Sequence, residues 1–460
     1  MSRRRLIMIP FALLVLGVVV WLMIRPHPAR LSVEAVSGQT PQITDPRAET
    51  FPTINVAEAT GWNEGQMPIA AEGLEVNLFA DDLDHPRWML TLDNGDVLVA
   101  ESRAPEREYS GVTGWFERRL MTRAGALGAS ANRITLLRDV DRDGTSDQRT
   151  TLLDESNGMN SPFGMAVTEG YLYIANTDAL IRYPFEPGQT EIEGQGEVIV
   201  ELPANAPNSH WTKNVVAHPD DPNLLYVAVG SNSNIGERGM DAEENRAAVL
   251  EVNVEERDFR IFTAGLRNPV GLDWEPTRNR LYTVVNERDM LGGDLAPDYL
   301  GEVVFGAHYG WPGVYWGRYL DERVEPMTPR LAQYARVPDY ALGPHTASLG
   351  LEFADRARLG SQFSNGAFIG QHGSWNRRPR SGYKVVFVPF ENGRPVGEMV
   401  DVLTGFVDGD NALGRPVGVM TDATGALLVA DDVGDVIWRV SNPSAPPASD
   451  EDAADGEADS

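Results

Sequence analysis

One short pattern returns six times along the chain and limits the possible fold more than any other feature. A Gly, Asp or Asn turn leads into a short aliphatic-aromatic strand that ends on a small or acidic residue. The copies are Asn94–Glu101, Glu169–Ala175, Pro222–Ala228, Arg280–Glu287, Asn365–Gly370 and Thr424–Asp431. Aligned on Leu98, Tyr173, Tyr226, Tyr282, Phe368 and Leu428, their spacings are 75, 53, 56, 86 and 60 residues. Each window is wide enough for four short strands, and a four-stranded unit repeated at such a period is the mark of a propeller. A β-sandwich with strands alike by coincidence is the alternative, and six recurrences argue against it. The expected fold is all-β: a six-bladed β-propeller over residues 66–441, with insertions after blades one and four. Gly111–Ala131 is the best candidate for a helical or irregular insertion.

The ends differ from this repeat. Arg3, Arg4 and Arg5 precede an apolar run from Leu6 to Ile24, closed by Arg25-Pro26. Such a run extends about 28 Å as a helix, close to the core of a bilayer. No small-residue cleavage site follows, so residues 1–28 are expected to form an N-terminal transmembrane helix rather than a cleaved signal. With the arginines inside, the rest of the chain would lie on the periplasmic or extracellular face of the cytoplasmic membrane. Residues 29–65 have no periodicity and read as a linker with a lead-in strand. Residues 442–460 read as an acidic disordered tail.

Lys and Arg number 39 against 67 Asp and Glu, a net charge of −28, which argues against a nucleic-acid partner. An anionic ligand would need a locally basic pocket. The absence of cysteine excludes disulfides, thiolate metal sites, a cysteine nucleophile and a lipoprotein anchor.

Asp139, Asp141, Asp143 and Asp147 stand at loop positions 1, 3, 5 and 9, with Gly144 at 6. Carboxylates at alternate positions converge on calcium once a glycine permits the sharp turn. Position 12 is Thr150 rather than an acid, so an acidic surface turn is the competing reading. A calcium ion here would be structural.

Five polar segments stand at the ends of the repeated strands. They are Asn208–Val216 with His210, Gly265–Leu272 with Arg267 and Asn268, Asn286–Asp289 continuing to Asp298-Tyr299, Gln371–Arg378, and Gly414–Val419 with Arg415. Together they supply one candidate base and several guanidinium groups.

These segments resemble the sorbosone dehydrogenase family, within the wider group of soluble glucose and aldose dehydrogenases that use pyrroloquinoline quinone (PQQ). The resemblance rests on His210-Trp-Thr-Lys-Asn-Val-Val, Gly265-Leu-Arg-Asn-Pro-Val-Gly-Leu, Val285-Asn-Glu-Arg-Asp, Pro297-Asp-Tyr-Leu and Tyr309-Gly-Trp-Pro. His372-Gly-Ser-Trp-Asn-Arg, Ser381-Gly-Tyr-Lys-Val-Val and Gly414-Arg-Pro-Val-Gly-Val extend it, so that it covers Gly73 to Ser441. It implies PQQ and calcium in the funnel and oxidation of a sugar or aldehydo-sugar. His210 matches the catalytic histidine, Arg267-Asn268 the quinone-contacting pair, Arg415 a carboxylate-binding arginine, and Asp298 (or Asp294) a site acid. Asn286–Arg288 matches the loop that offers oxygens to the cofactor's calcium, and Tyr309 is a further candidate metal ligand. Arg377 and Arg378 are candidates for the remaining carboxylates of PQQ.

Those roles are chemically coherent. Removing a hydride from a sugar C–H needs a base for the hydroxyl proton, and imidazole titrates in the right range. Negative charge on quinone oxygens would be stabilised by Arg267 and a cation. Electrons would pass to a membrane quinone or a cytochrome. Two other functions compete with this one: a calcium-dependent lactonase built on Glu101, Asn268 and Asp432, and a non-catalytic binding propeller.

Overall fold

The computed structural model describes Gly17 and residues 27–445. The apolar run Leu6–Ile24, Gly17 apart, and the tail beyond Ala445 lie outside the described residues. Among the described residues, no helix is long and apolar enough to cross a membrane.

Six antiparallel sheets, each built on four main strands, make up the body of the chain, with Ser37–Gly38 added at the outer edge of the fourth and Ile69–Ala70 at that of the fifth. Blade 1 contains Pro86–Thr91, Val97–Glu101, Arg133–Arg138 and Gln148–Leu153. Blade 2 contains Met165–Thr168, Tyr171–Ala175, Ala179–Pro184 and Glu197–Glu201, and blade 3 contains Lys213–Ala217, Leu224–Val229, Ala248–Asn253 and Asp258–Ala264. Blade 4 contains Pro269–Glu275, Arg280–Val285, Pro297–Glu302 and Tyr340–Pro344. Blade 5 contains Ser348–Phe353, Gly366–Gln371, Lys384–Glu391 and Val400–Thr404. Blade 6 takes Pro416–Thr421, Leu427–Asp431 and Val436–Ser441 from the end of the repeat and its outer strand, Glu75–Ala80, from the beginning.

The first strand of each blade touches the first strands of both neighbours, so the sheets close into a ring: a six-bladed β-propeller. Glycines in these strands permit the close approach. A Cβ on Gly164 of blade 2 would lie 2.4 Å from Val215 N of blade 3. One on Gly271 of blade 4 would lie 2.6 Å from Leu351 Cβ of blade 5, and one on Gly350 of blade 5 would lie 2.3 Å from Val417 O of blade 6. Proline opens the first strand in blades 1, 4 and 6, where no ladder N–H is required, and a register shift follows each time.

The six residues aligned in the sequence all fall in second strands. The two long spacings arise within blades, not after them. Helix Gly111–Arg123 joins the second and third strands of blade 1, and residues 303–339 join the third and fourth strands of blade 4.

In this up-and-down order, the starts of first strands and the ends of second strands share one face, the upper face. Residues 27–60, expected as a linker, are strapped across it. Ala29 N donates to Arg378 O (2.8 Å), Asn55 N to Trp375 O (2.7 Å) and Glu58 N to Asp410 O (2.8 Å). Val36 and Ala57 within the strap are fully buried. Its strands, Ser37–Gly38 against blade 4 and Glu58–Ala59 against Asn411–Ala412, are two residues long, too short to leave a periodicity for a sequence reading to detect.

Candidate active site

His210 lies just before the first strand of blade 3. Its Nδ1 is 2.7 Å from the carbonyl oxygen of Ser231, at the end of that blade's second strand. A carbonyl only accepts, so Nδ1 carries the hydrogen and Nε2 keeps a free lone pair. Burial, and then the charge of Arg267, lower the imidazole pKa to about 3. The ring is therefore neutral at physiological pH and ready to accept a proton. Behind it, a Cβ on Gly230 would lie 2.5 Å from His210 Cβ and 2.2 Å from Asn268 Oδ1, so only glycine lets these side chains sit side by side.

Arg267 is buried and held from three sides. Its Nη1 donates to Asn286 Oδ1 (3.0 Å), and its Nη2 donates to Asn234 Oδ1 (3.0 Å) and Asp289 Oδ2 (3.2 Å). Asp289 also accepts from Asn376 Nδ2 (2.9 Å) and pairs with His345 Nδ1 (3.4 Å). Burial alone would raise the Asp289 pKa, but the His345 hydrogen bond and the Arg267 charge bring it down to about 2. The carbonyl oxygen of the neighbouring Asn268 accepts from Asn286 N (3.0 Å), while its buried side-chain Oδ1 has no partner among the described residues.

The opposite wall comes from blades 1, 5 and 6. Asp432 carries His372 Nε2 at 2.9 Å, the Arg87 guanidinium, and His85 Nε2 at 3.5 Å. Despite its burial, the charges of His372, His85 and Arg87 hold Asp432 far below the usual carboxylate range. Arg415 is different. It is 4% exposed, yet among the described residues its only hydrogen bond from the side chain is Nη2 to Ala57 O at 3.4 Å. Its Nε has no partner, and the guanidinium lies 5.3 Å from the Tyr383 ring centroid. A buried cation without a counter-anion is costly and is the signature of a site built for an anionic ligand. The carboxylates of PQQ have the complementary chemistry, so the residues present fit that cofactor.

His210, Arg267, Asn268 and Asn286 thus gather on one side of the mouth and Arg415 on the other. The remaining candidates have other partners. Asp298 sits behind the loop, accepting from Glu287 N (2.8 Å), Thr346 Oγ1 (2.9 Å) and Ser348 N (3.2 Å), and burial raises its pKa to about 6. Its oxygens brace the loop that carries Asn286. Asp294 anchors the strap by accepting from Arg30 N (2.9 Å) and Leu31 N (3.1 Å).

The side chains of Arg288 and Arg377, both expected among the cofactor-binding residues, are engaged with other groups. Arg288 is fully buried beneath the blade 4 insertion, bound to Glu287 Oε2 (2.9 Å) and Val314 O (2.7 Å). Arg377 spends all three nitrogens on the carbonyls of Gly293, Pro379 and Leu31, each at 2.9 Å. Arg378 reaches Ile54 O (3.1 Å). Arg267 thus has a carboxylate partner in Asp289 and Arg87 has one in Asp432, whereas among the described residues Arg377, Arg378 and Arg415 have none within ion-pair distance, and of these three only Arg415 keeps an unsatisfied buried nitrogen.

Asp139, Asp141 and Asp147 offer oxygens within 4.8 Å of one another, without Asp143. They lie between the third and fourth strands of blade 1, on the lower face, away from His210. Tyr309 does not join them. Its phenol donates to Glu302 O and stacks against Tyr299 near blade 3, and burial pushes its pKa far up. The trio Glu101, Asn268 and Asp432 does not form an open metal set either, because Arg133 occupies Glu101 (2.6 Å) and Arg87 occupies Asp432.

Sequence reasoning missed His85, Arg87, His345 and Gly230, and placed Asp289 in a polar segment without giving it a role. A signal for the first two existed: His85-Pro86, Asn268-Pro269 and Arg415-Pro416 are the same polar-proline step at the head of first strands.

These features define a propeller with a neutral, hydrogen-bonded histidine and a buried arginine lacking a carboxylate partner among the described residues at the mouth of its axial funnel. The chain belongs to the TrAA12-like family, whose model matches residues 127–297 and 330–443, more than half of its length. It is 27% identical over 296 residues to a Borreliella burgdorferi protein of unassigned function, covering 61% of this chain and 76% of that one. It is 26% identical over 298 residues to the pyrroloquinoline quinone-dependent pyranose dehydrogenase of Coprinopsis cinerea, covering 52% of this chain but 40% of the relative. The holo structure of that enzyme's PQQ domain matches with a TM-score of 0.66 at 20% identity, over 84% of this chain and 100% of the domain. A calcium structure of the family AA12 enzyme of Trichoderma reesei also matches at 0.66, with 18% identity over 85% of this chain and 99% of that one.

Proposed function

We propose that this chain oxidises a sugar or aldehydo-sugar with PQQ, His210 acting as general base. The observation that carries the reading is the pairing of a neutral, correctly protonated His210 with the unneutralised guanidinium of Arg415 across the same funnel. Nε2 of His210 takes the proton of a hydroxyl on the reacting carbon (for an aldehydo-sugar, that of its hydrate), while the hydrogen of the same carbon leaves as hydride, so the substrate loses two electrons and becomes a carbonyl, a lactone or, from the hydrate, a carboxylic acid. Bound PQQ would supply the two-electron acceptor. Arg415 would hold one of its carboxylates, and Arg267, fixed by Asn286, Asn234 and Asp289, would face negative charge as it develops. A calcium ion at Asp139, Asp141 and Asp147 would serve stability.

The same proposal places the domain outside the cytoplasm, anchored by the Leu6–Ile24 segment, with a membrane quinone or a cytochrome as the final acceptor. Purified protein loaded with PQQ and calcium should reduce an artificial dye in the presence of aldoses or aldehydo-sugars. Bound PQQ with no dye reduction across a broad sugar panel would overturn the reading.

A further inference from the structure

A cleft of about 760 Å³ opens beside His210, on the same upper face. One wall is the blade 1 insertion, with Glu106, Glu108 and Glu117. The floor is Asp178 with Asn160, and the far wall runs through Asn208 to Ser209, the residue before His210. This far wall is rigid: buried Arg246 ties Asn208 Oδ1 (2.8 Å), Pro203 O (2.8 Å) and Gly230 O (3.2 Å) together. The histidine and the wall therefore hang on one guanidinium.

Clefts of ~300–1,000 Å³ accommodate drug-sized ligands, so this one exceeds what a single pyranose ring fills. Its chemistry is that of hydrogen-bond acceptors. Glu117 is paired with Arg107 (2.7 Å), and Asp178 accepts from Asn160 (2.8 Å). Glu106 and Glu108 have no partner among the described residues, and Arg238 is the other cation at the rim. Free carboxylates accept hydrogen bonds from vicinal hydroxyls and repel carboxylate-bearing sugars.

We propose that this cleft is an extended subsite for a non-acidic oligosaccharide, whose reducing end meets His210 while its outer rings lie between Glu106, Glu108 and Asp178. The inference rests on the sugar-oxidising reading, but it can be tested apart from it. Calorimetric titration of the quinone-free protein with glucose, with maltotriose, cellotriose and chitotriose, and with a uronic acid trisaccharide needs no turnover. At least one neutral trisaccharide should bind about tenfold more tightly than glucose, which corresponds to a few additional hydrogen bonds. The acidic trisaccharide should show no such gain. E106Q/E108Q, altered at two exposed positions, should lose most of the chain-length gain and leave glucose binding unchanged.

Equal affinity for glucose and every neutral trisaccharide, or a gain untouched by E106Q/E108Q, overturns the subsite. A chain-length gain without dye reduction by the PQQ-loaded protein would keep the subsite and remove the dehydrogenase. Dye reduction with equal binding of short and long sugars would do the reverse.

Discussion

The ring nitrogen Nδ1 of His210 donates to the carbonyl of Ser231 at 2.7 Å, which fixes both the orientation and the tautomer of the proposed base. With its pKa lowered to about 3, against ~6.5 for a free imidazole, His210 stays neutral well into acid. The acid limb of kcat/KM should therefore lie below pH ~6, since general-base catalysis needs only the neutral form. A limb centred near the ordinary histidine value would contradict this assignment. His210→Gln should reduce turnover by ~10²–10⁴-fold with PQQ binding retained. The linkage sign is equally defined: the unfolded chain takes up this proton below pH ~6.5 and the native state does not. That contribution to stability is full above the unfolded pKa and is lost as pH falls towards about 3.

Gly230 separates His210 from Asn268. Gly230→Ala places a methyl group 2.2 Å from Asn268 Oδ1 and 2.5 Å from His210 Cβ. Overpacking of this kind costs ~1–3 kcal/mol, and displacement of a catalytic group by ~1 Å costs ~10²-fold in rate. Chemical denaturation and steady-state kinetics on the same variant should show both losses. Adding Asn268→Gly should return part of the stability, because the carboxamide oxygen is then gone.

Arg415 is expected to separate cofactor affinity from stability. Charge-assisted hydrogen bonds contribute ~1.5–3 kcal/mol, so Arg415→Met should weaken PQQ binding by ~10–150-fold. The quinone-free variant should be at least as stable in urea as the parent, because a buried guanidinium with one 3.4 Å bond has been removed. A large stability loss with unchanged affinity would assign Arg415 to the framework.

The acidic loop of blade 1 lies on the lower face, so its ion should act on stability alone. Calcium should raise the melting temperature and EGTA should reverse the gain, with Asp141→Asn insensitive to both. Its kcat should remain within about twofold of the parent when calcium is in excess, because surface changes far from a site have small effects.

The fold was legible because each second strand carries its own turn and its own hydrophobic run, both local properties. His210, Arg267, Asn268 and Arg415 were legible because they stand at the heads of first strands in long specific motifs. The partners were not, since they come from distant sequence. Arg87 meets Asp432 across 345 positions, and Asn376 meets Asp289 across 87. The partners that the side chains of Arg288 and Arg377 take were hidden for a related reason. A guanidinium beside a strand end is equally able to satisfy backbone carbonyls, and only the packed arrangement shows which it does. Residues 27–60 escaped notice because their order comes from the loops beneath them, not from any pattern of their own.

The pairing of Glu75–Ala80 with Val436–Ser441 reverses the order of synthesis and assembly. The strand that leaves the ribosome first among the blades is the last to find its place, because its partner is among the final segments made. Until then the nascent chain presents two unpaired edges, an invitation to off-pathway association. A ring joined in this way cannot be completed piecemeal, so loss of even the last few strands of the repeat should leave an open arc that no cofactor can recognise.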